Sequence, residues 1–373
     1  MIRHRPRTAL ILGGGGARAA YEVGVLKAVR ELLPDPAHNP FPIYCGASAG
    51  SINAAVMAVR AGDFGAGVNY LAELWWNIHA GDVFRADHLS MMTAGARWLF
   101  RRSSRSLFDN APLRRLLGQA VNFDQLEPAV AAHALLALVV TCSGYASGQS
   151  VSFFQGRADL EPWNLGQRVG AHVLLGVEHL MASSAMPFIF PAVRMNREFF
   201  GDGALRQPTP LSPAIHLGAD RILVIGEGRM SDEGDEREPG DAYPSPARIA
   251  GQTLSGMYVD ALTADLEHAE HVNRVLQLIP AESRGSVDAA LRPLQVLSLA
   301  PSIRLDHLAA EHVGALPRSV RALLSGIGAN RRDGGALASY LLFEPPYTQA
   351  LMELGYRDTL ARADEVRLFL DIT

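Results

Sequence analysis

The chain has 373 residues, 48% of them hydrophobic and 19% charged, with a net charge of −4. That length accommodates one large or two ordinary domains around a substantial core, and the slightly acidic balance gives no reason to expect nucleic acid as a partner. Two cysteines, Cys45 and Cys142, exclude a disulfide framework and a thiolate metal cage and suit a reducing compartment, so a cytoplasmic location is expected.

The charged start from Met1 to Arg7 leads into an apolar stretch that stops at Gly13, too early for a signal-peptide core. Ala9-Leu10-Ile11-Leu12 reads as a buried strand, ended by Gly13-Gly14-Gly15-Gly16-Ala17-Arg18. Tyr21, Val25, Val29 and Leu32 then recur at near-helical spacing until Pro34-Asp35-Pro36 stops the helix. Pro42-Ile43-Tyr44-Cys45 is a second strand, followed by Gly46-Ala47-Ser48-Ala49-Gly50 and a helix expected to run to Ala61-Gly62. Both turns join a strand to a helix, so they belong at the same edge of a parallel sheet.

The spacing around Ser48 is that of a G-x-S-x-G elbow, a turn so tight that side chains at the flanking positions would clash. Its hydroxyl is pushed clear of the sheet. Consecutive glycines bring N–H groups close to a ligand because no Cβ intervenes, and the next helix adds its positive N-terminal end, as an oxyanion hole requires. On spacing alone, an ordinary turn accounts for the elbow equally well.

A further helix carries Leu71, Leu74, Trp75 and Ile78 as a core-facing stripe. From Gly81 to Phe108 the period is lost. Met91, Met92, Trp98, Leu99 and Phe100 are there interleaved with Arg97, Arg101, Arg102 and Arg105, either as a cap over the core or as a patch for anionic head groups. Asp109-Asn110-Ala111-Pro112 opens a helix with Leu113, Leu116 and Leu117. The run 129–142, interrupted by His133, is short of the roughly 20 residues that span a bilayer, so any membrane contact is expected to be peripheral, on its inner face.

Ala134 to Cys142 reads as a central strand buried on both faces, turned by 143–148 into a partner strand from Ser150 to Phe154. A helix from His179 to Ala185 precedes Pro187 and Pro191. Two short strands around Val193 and Phe199 follow, and the second delivers Gly201-Asp202-Gly203 into a loop. Asp202 is either plain turn chemistry or a carboxylate allowed an unusual close approach. Arg221 to Gly226 is another buried strand. The segment 231–246, with Asp232, Glu233, Asp235, Glu236, Glu238 and Asp241, cannot repay its ordering entropy by burial and reads as a mobile acidic loop. A long helix from Ala247 to Leu278, a strand from Val296 to Leu299 and Leu-rich helices complete the chain. The expected organisation is a core at 8–230, the loop at 231–246, and a helical part at 247–373 packed on the same domain.

Gly13 to Arg18, Gly46 to Gly50 and Asp202-Gly203-Ala204, in this order and with Ala182-Ser183-Ser184-Ala185-Met186-Pro187 between the last two, resemble the patatin-like phospholipase family. The resemblance spans Thr8 to Gly226. It implies an α/β fold of three layers, with a mainly parallel central sheet flanked by helices. It also implies a Ser–Asp dyad without a histidine, with Ser48 as nucleophile and Asp202 as base. Gly14, Gly15 and Gly16 would supply the oxyanion hole, Arg18 matches the family's basic residue, and Gly46, Gly50 and Gly203 support the turns. No cofactor or metal is implied, and the substrate would be a phospholipid or another acyl ester, met at a peripheral membrane surface. One departure is Ala19, where the family commonly has glycine. Physically, the dyad requires Asp202 to be a stronger base than a free aspartate at pKa ~3.9, through burial or fewer hydrogen bonds to its charged form.

Three other readings compete. A Ser-His-Asp hydrolase would draw on His307 or His312, which lie late enough in the chain. A dinucleotide-binding domain would use Gly14, Gly16 and Ala19, but the acidic residue it needs about 20 residues on falls in the loop Pro34-Asp35-Pro36. A membrane-docking protein could keep the fold without the reaction, although the presence of both Ser48 and Asp202 argues against that. Glu267-His268-Ala269-Glu270-His271 lacks zinc-peptidase spacing and reads as an exposed polar face.

Overall fold

The computed structural model describes residues 6–85, 106–207, 209–226, 246–279, 292–326 and 335–372. Residues 231–245 of the expected acidic loop and 91–105 of the apolar-cationic stretch lie outside them. Among the described residues the strands are β1 (Thr8–Leu12), β2 (Ile43–Ala47), β3 (Ala137–Gly144), β4 (Ser150–Gly156), β5 (Trp163–Leu165), β6 (Arg168–His172), β7 (Val193–Met195), β8 (Glu198–Asp202), β9 (Arg221–Ile225) and β10 (Gln295–Leu299). They form one mixed sheet in the order β10-β9-β1-β2-β3-β4-β6-β5, with β8 paired to β3 and β7 to β8. The run from β10 to β3 is parallel throughout.

Side chains of the central strands alternate between two cores, as the period of two demands. Leu10, Leu12, Tyr44, Leu138, Val140, Leu223 and Ile225 face one layer of helices, while Ala9, Ile11, Ile43, Cys45, Val139, Ile222 and Val224 face the other. The helices that matter for the site are α1 (Ala20–Leu32), α2 (Ala49–Ala58), α3 (Phe64–Trp76), α4 (Ala111–Ala120), α5 (Val177–Ser183), α6 (Ser212–His216), α7 (Pro246–Leu278), α8 (Leu305–His312), α9 (Gly335–Leu341) and α10 (Pro345–Ala361). The first layer includes α1, α2, α3 and α10, and α6 contributes Ala214 to the second. The result is a three-layer α/β arrangement with more parallel than antiparallel strand pairs.

The C-terminal helices are built into the first layer. Gly24 of α1 and Gly355 of α10 lie at the crossing of the two helices, where an added Cβ would strike the backbone of Met352 or of Tyr21. That close approach buries Tyr21, Leu26, Leu351 and Met352.

Boundaries differ from the sequence expectation where local capping intervenes. The helix after Ser48 stops at Ala58, and Asp63 opens α3 by accepting the Ala66 N–H at 2.9 Å. Ala134 and Leu135 donate to Ala129 O, closing the preceding helix, so β3 starts only at Ala137. Strands β5 and β6 were not legible, being short and only partly buried.

Candidate active site

Ser48 and Asp202 meet because two strands run head-on along one flank of β3. β2 is parallel to β3 and ends with Ala47 opposite Thr141; β8 is antiparallel to it and ends with Asp202 opposite Cys142. Each strand therefore delivers its next group to the same point. Ser48 Oγ donates to Asp202 Oδ2 at 2.7 Å, across 154 positions of sequence.

Ser48 has φ 53 and ψ −134, a backbone conformation that costs a non-glycine residue energy and persists only when its surroundings enforce it. Its N–H donates to Ser183 Oγ at 3.0 Å, and Ser183 in turn donates to Thr141 O at 2.7 Å. Its carbonyl accepts from the Ser51 N–H at 3.0 Å and the Ser51 hydroxyl at 2.6 Å. An added Cβ at Gly46 or Gly50 would collide with Ser51 or with Leu12 O, which explains the two glycines of the elbow.

Asp202 is 4% exposed. Its Oδ1 accepts the Ala204 N–H at 2.9 Å, its N–H donates to Ala185 O at 3.0 Å, and Ser143 Oγ donates to its carbonyl at 2.7 Å. Gly203 lies where a Cβ would enter Thr141 O, so the turn after the carboxylate cannot carry a side chain. Burial raises the Asp202 pKa to about 6, against the lowering effect of the bonds from Ser48 and Ala204. The carboxylate is thus a stronger base than a free aspartate.

The glycine loop passes directly over the elbow. Gly14, Gly15 and Gly16 all have positive φ, at 93°, 99° and 61°. A Cβ at Gly14 would lie 2.8 Å from Ser48 Cβ. The three residues are not equivalent. The Gly14 N–H donates to Glu22 Oε1 at 2.9 Å and is thereby committed within the protein, whereas Gly16 lines the same pocket as Ser48. Arg18 turns away from the elbow: Nε donates to Ser339 Oγ at 2.7 Å and the guanidinium lies 4.2 Å over the Tyr340 ring, tying the loop to α9. Ala19 is helical in backbone (φ −62) and fully buried, so the missing glycine costs the loop no strain.

An apolar pocket opens beside Ser48, with Ile52, Trp75, Leu113, Leu117, Met186 and Phe343 in its wall. Phe108, from the end of the apolar-cationic stretch, is core, packed against Phe84 and Phe190 with ring centroids 4.4 and 6.4 Å away. His307 and His312 lie on α8, where His312 packs 6.1 Å from the Tyr347 ring; the acceptor of the Ser48 hydroxyl is Asp202. Glu267, His268, Glu270 and His271 are exposed on α7, and among the described residues no group of three or more His, Cys, Asp or Glu side chains is disposed to hold a metal.

The family model for patatin-like phospholipase matches residues 10–215, more than half of the chain. The chain belongs to the patatin-like phospholipase family. Rat (Rattus norvegicus) and mouse (Mus musculus) calcium-independent phospholipase A2-gamma are each 26% identical to it, over 255 and 252 residues that make up 62% of this chain and 30% of theirs. The chain thus matches less than a third of the length of these curated relatives. Among solved structures, VipD from Legionella pneumophila aligns with a TM-score of 0.41 at 12% identity, covering 97% of this chain and 67% of that one. ExoU, in its complex with SpcU from Pseudomonas aeruginosa, aligns at 0.27 and 15% identity, covering 96% and 76%. No described helix is long and apolar enough to cross a membrane.

Glu22, Asn53 and Trp75 were missed as parts of the site, and Ser183 entered only within the stretch Ala182 to Pro187, without a role of its own. A sequence signal existed for the first: Glu22 is a lone acidic residue within Ala19-Ala20-Tyr21 and Val23, where a helix should be apolar.

Proposed function

We infer that this protein cleaves carboxylic esters of lipids through an acyl-enzyme on Ser48, with Asp202 as the base. The observation that carries the reading is the 2.7 Å bond from Ser48 Oγ to a buried carboxylate at an apolar pocket. Ser48 Oγ attacks the ester carbonyl as its proton passes directly to Asp202 Oδ2. The developing oxyanion is met by the N–H groups of Gly15 and Gly16 and by the N-terminal end of α2. Gly14, whose N–H is held by Glu22, shapes the loop and is not a donor. Collapse of the tetrahedral intermediate expels the alcohol or lysolipid, which takes the proton back from Asp202. Water, deprotonated by the same carboxylate, then releases the acyl group.

The pocket supports the lipid part of the reading. Its wall offers aliphatic and aromatic surface to an acyl chain and little to a sugar or peptide. Phospholipids are the favoured substrates, approached from a peripheral position at a membrane surface. A panel of acyl esters, from short chromogenic esters to phospholipids, tests this with wild type and Ser48→Ala. Turnover that rises with chain length and vanishes in the variant supports the reading, and equal turnover by both proteins overturns it.

A further inference from the structure

Glu22 is a fully buried carboxylate on α1, eight positions after Gly14. Its two oxygens have separate tasks. Oε1 accepts the Gly14 N–H at 2.9 Å, and Oε2 accepts from Asn53 Nδ2 at 2.7 Å. Asn53 lies on α2, five positions after Ser48, and also donates to Ala19 O at 3.1 Å. Its Oδ1 accepts from Trp75 Nε1 at 2.8 Å, which fixes which way the amide faces. Trp75 is in the pocket wall and stacks on Phe343 with ring centroids 6.2 Å apart.

The Gly14 N–H and the Asn53 amide, like the Gly13 N–H that also acts on the carboxylate, are neutral donors, so the position demands an acceptor at each oxygen. A glutamine would turn an N–H2 group toward either the Gly14 N–H or the Asn53 amide N–H2. A buried carboxylate facing neutral donors is costly, and burial raises the Glu22 pKa to about 7. A leucine or alanine there would avoid that cost, so the carboxylate must be explained by the loop it holds.

We propose that Glu22 is a positioning residue for ester hydrolysis at Ser48, a role that rests on the lipid acyl hydrolase reading: by holding the Gly14 N–H it sets the left-handed turns of Gly14, Gly15 and Gly16 so that the following N–H groups face the oxyanion. Through Asn53 and Trp75, the same carboxylate ties the loop to the pocket wall that receives the acyl chain. Contacts to the oxyanion act in the transition state, so a loosened loop lowers kcat and leaves KM nearly unchanged.

The test compares wild type, Ser48→Ala, Glu22→Gln and the double variant Glu22→Gln/Asn53→Asp on a short chromogenic ester, with thermal melting to count folded protein. Glu22→Gln lowers kcat by about 10- to 100-fold with little change in KM, since a single oxyanion donor is worth about 10²- to 10³-fold. The double variant recovers only part of that loss: the new amide then faces a carboxylate, but that carboxylate also faces Ala19 O, which has lost its donor. A wild-type kcat in Glu22→Gln, or a loss wholly accounted for by unfolding, overturns the role. Should Glu22→Gln not fold, Trp75→Phe carries the test: it keeps the ring, releases the Asn53 amide and lowers kcat on the short ester, and an unchanged kcat overturns the proposal. Full turnover by Ser48→Ala would instead bring down the hydrolase reading itself, whatever Glu22→Gln does.

Discussion

Replacing Asp202 by asparagine should make the protein more stable and nearly inactive at the same time. The carboxylate is buried, and its pKa is raised from 3.8 to about 6. A group protonated more readily in the folded than in the unfolded state contributes stability below its unfolded pKa and loses it as the pH rises through the folded one. At pH 8 the ionised Asp202 therefore costs up to (6 − 3.8) × 1.36, about 3 kcal/mol. Asparagine mimics the protonated form: its oxygen accepts the Ala204 N–H and its amide donates to Ser48 Oγ, so neither partner is orphaned. Asp202→Asn should raise the melting temperature by several degrees at pH 8, and the gap should shrink toward zero as the pH falls from 6 to below 4. Ester hydrolysis should fall by about 10²- to 10⁴-fold, the usual contribution of a positioned base. Differential scanning fluorimetry across pH, with turnover measured alongside, checks both parts. A variant less stable than wild type at pH 8, or a gap that does not close in acid, would refute the claim that the site stores its basicity as burial.

Three further outcomes follow from the same geometry. His307→Ala and His312→Ala should leave kcat close to wild type; if either matched Ser48→Ala, a triad would replace the dyad. Leu117→Trp should raise KM for long acyl chains while sparing an acetyl ester, which a chain-length series of KM values reads directly. Arg18→Ala should cost about 2–4 kcal/mol in chemical denaturation, since it removes the bonds to Ser339 and Ala336 and the Tyr340 ring contact. Arg18→Lys should not restore it, because an ammonium cannot reproduce the planar fork.

The local grammar of strand, glycine and helix was readable wherever it was short-range. The glycine loop, the elbow at Ser48 and the strand ending at Asp202 all follow from alternation, breakers and turn chemistry, and the meeting of parallel β1 and β2 at one edge follows from the strand-turn-helix units. What brings Ser48 to Asp202, however, is the opposed approach of β2 and β8 along β3, a register that no local pattern encodes. The Glu22–Asn53–Trp75 chain was illegible for a similar reason. Glu22 stands out as an acidic residue among apolar neighbours, but Asn53 and Trp75 taken singly are ordinary helix residues, and the common purpose of the three exists only once α1, α2 and α3 are packed. Arg18 shows the converse. Its position in the motif was legible, but its partners lie more than 300 positions away on α9, so its tie to the C-terminal helices was not.

The central claim is that Ser48 is the nucleophile, and the most direct measurement is active-site labelling by a fluorophosphonate, located by peptide mass analysis. The account predicts one label per chain, on Ser48, formed slowly or not at all in Asp202→Asn. Stoichiometric labelling of any other residue, or labelling of Ser48→Ala to the same extent as wild type, would contradict it.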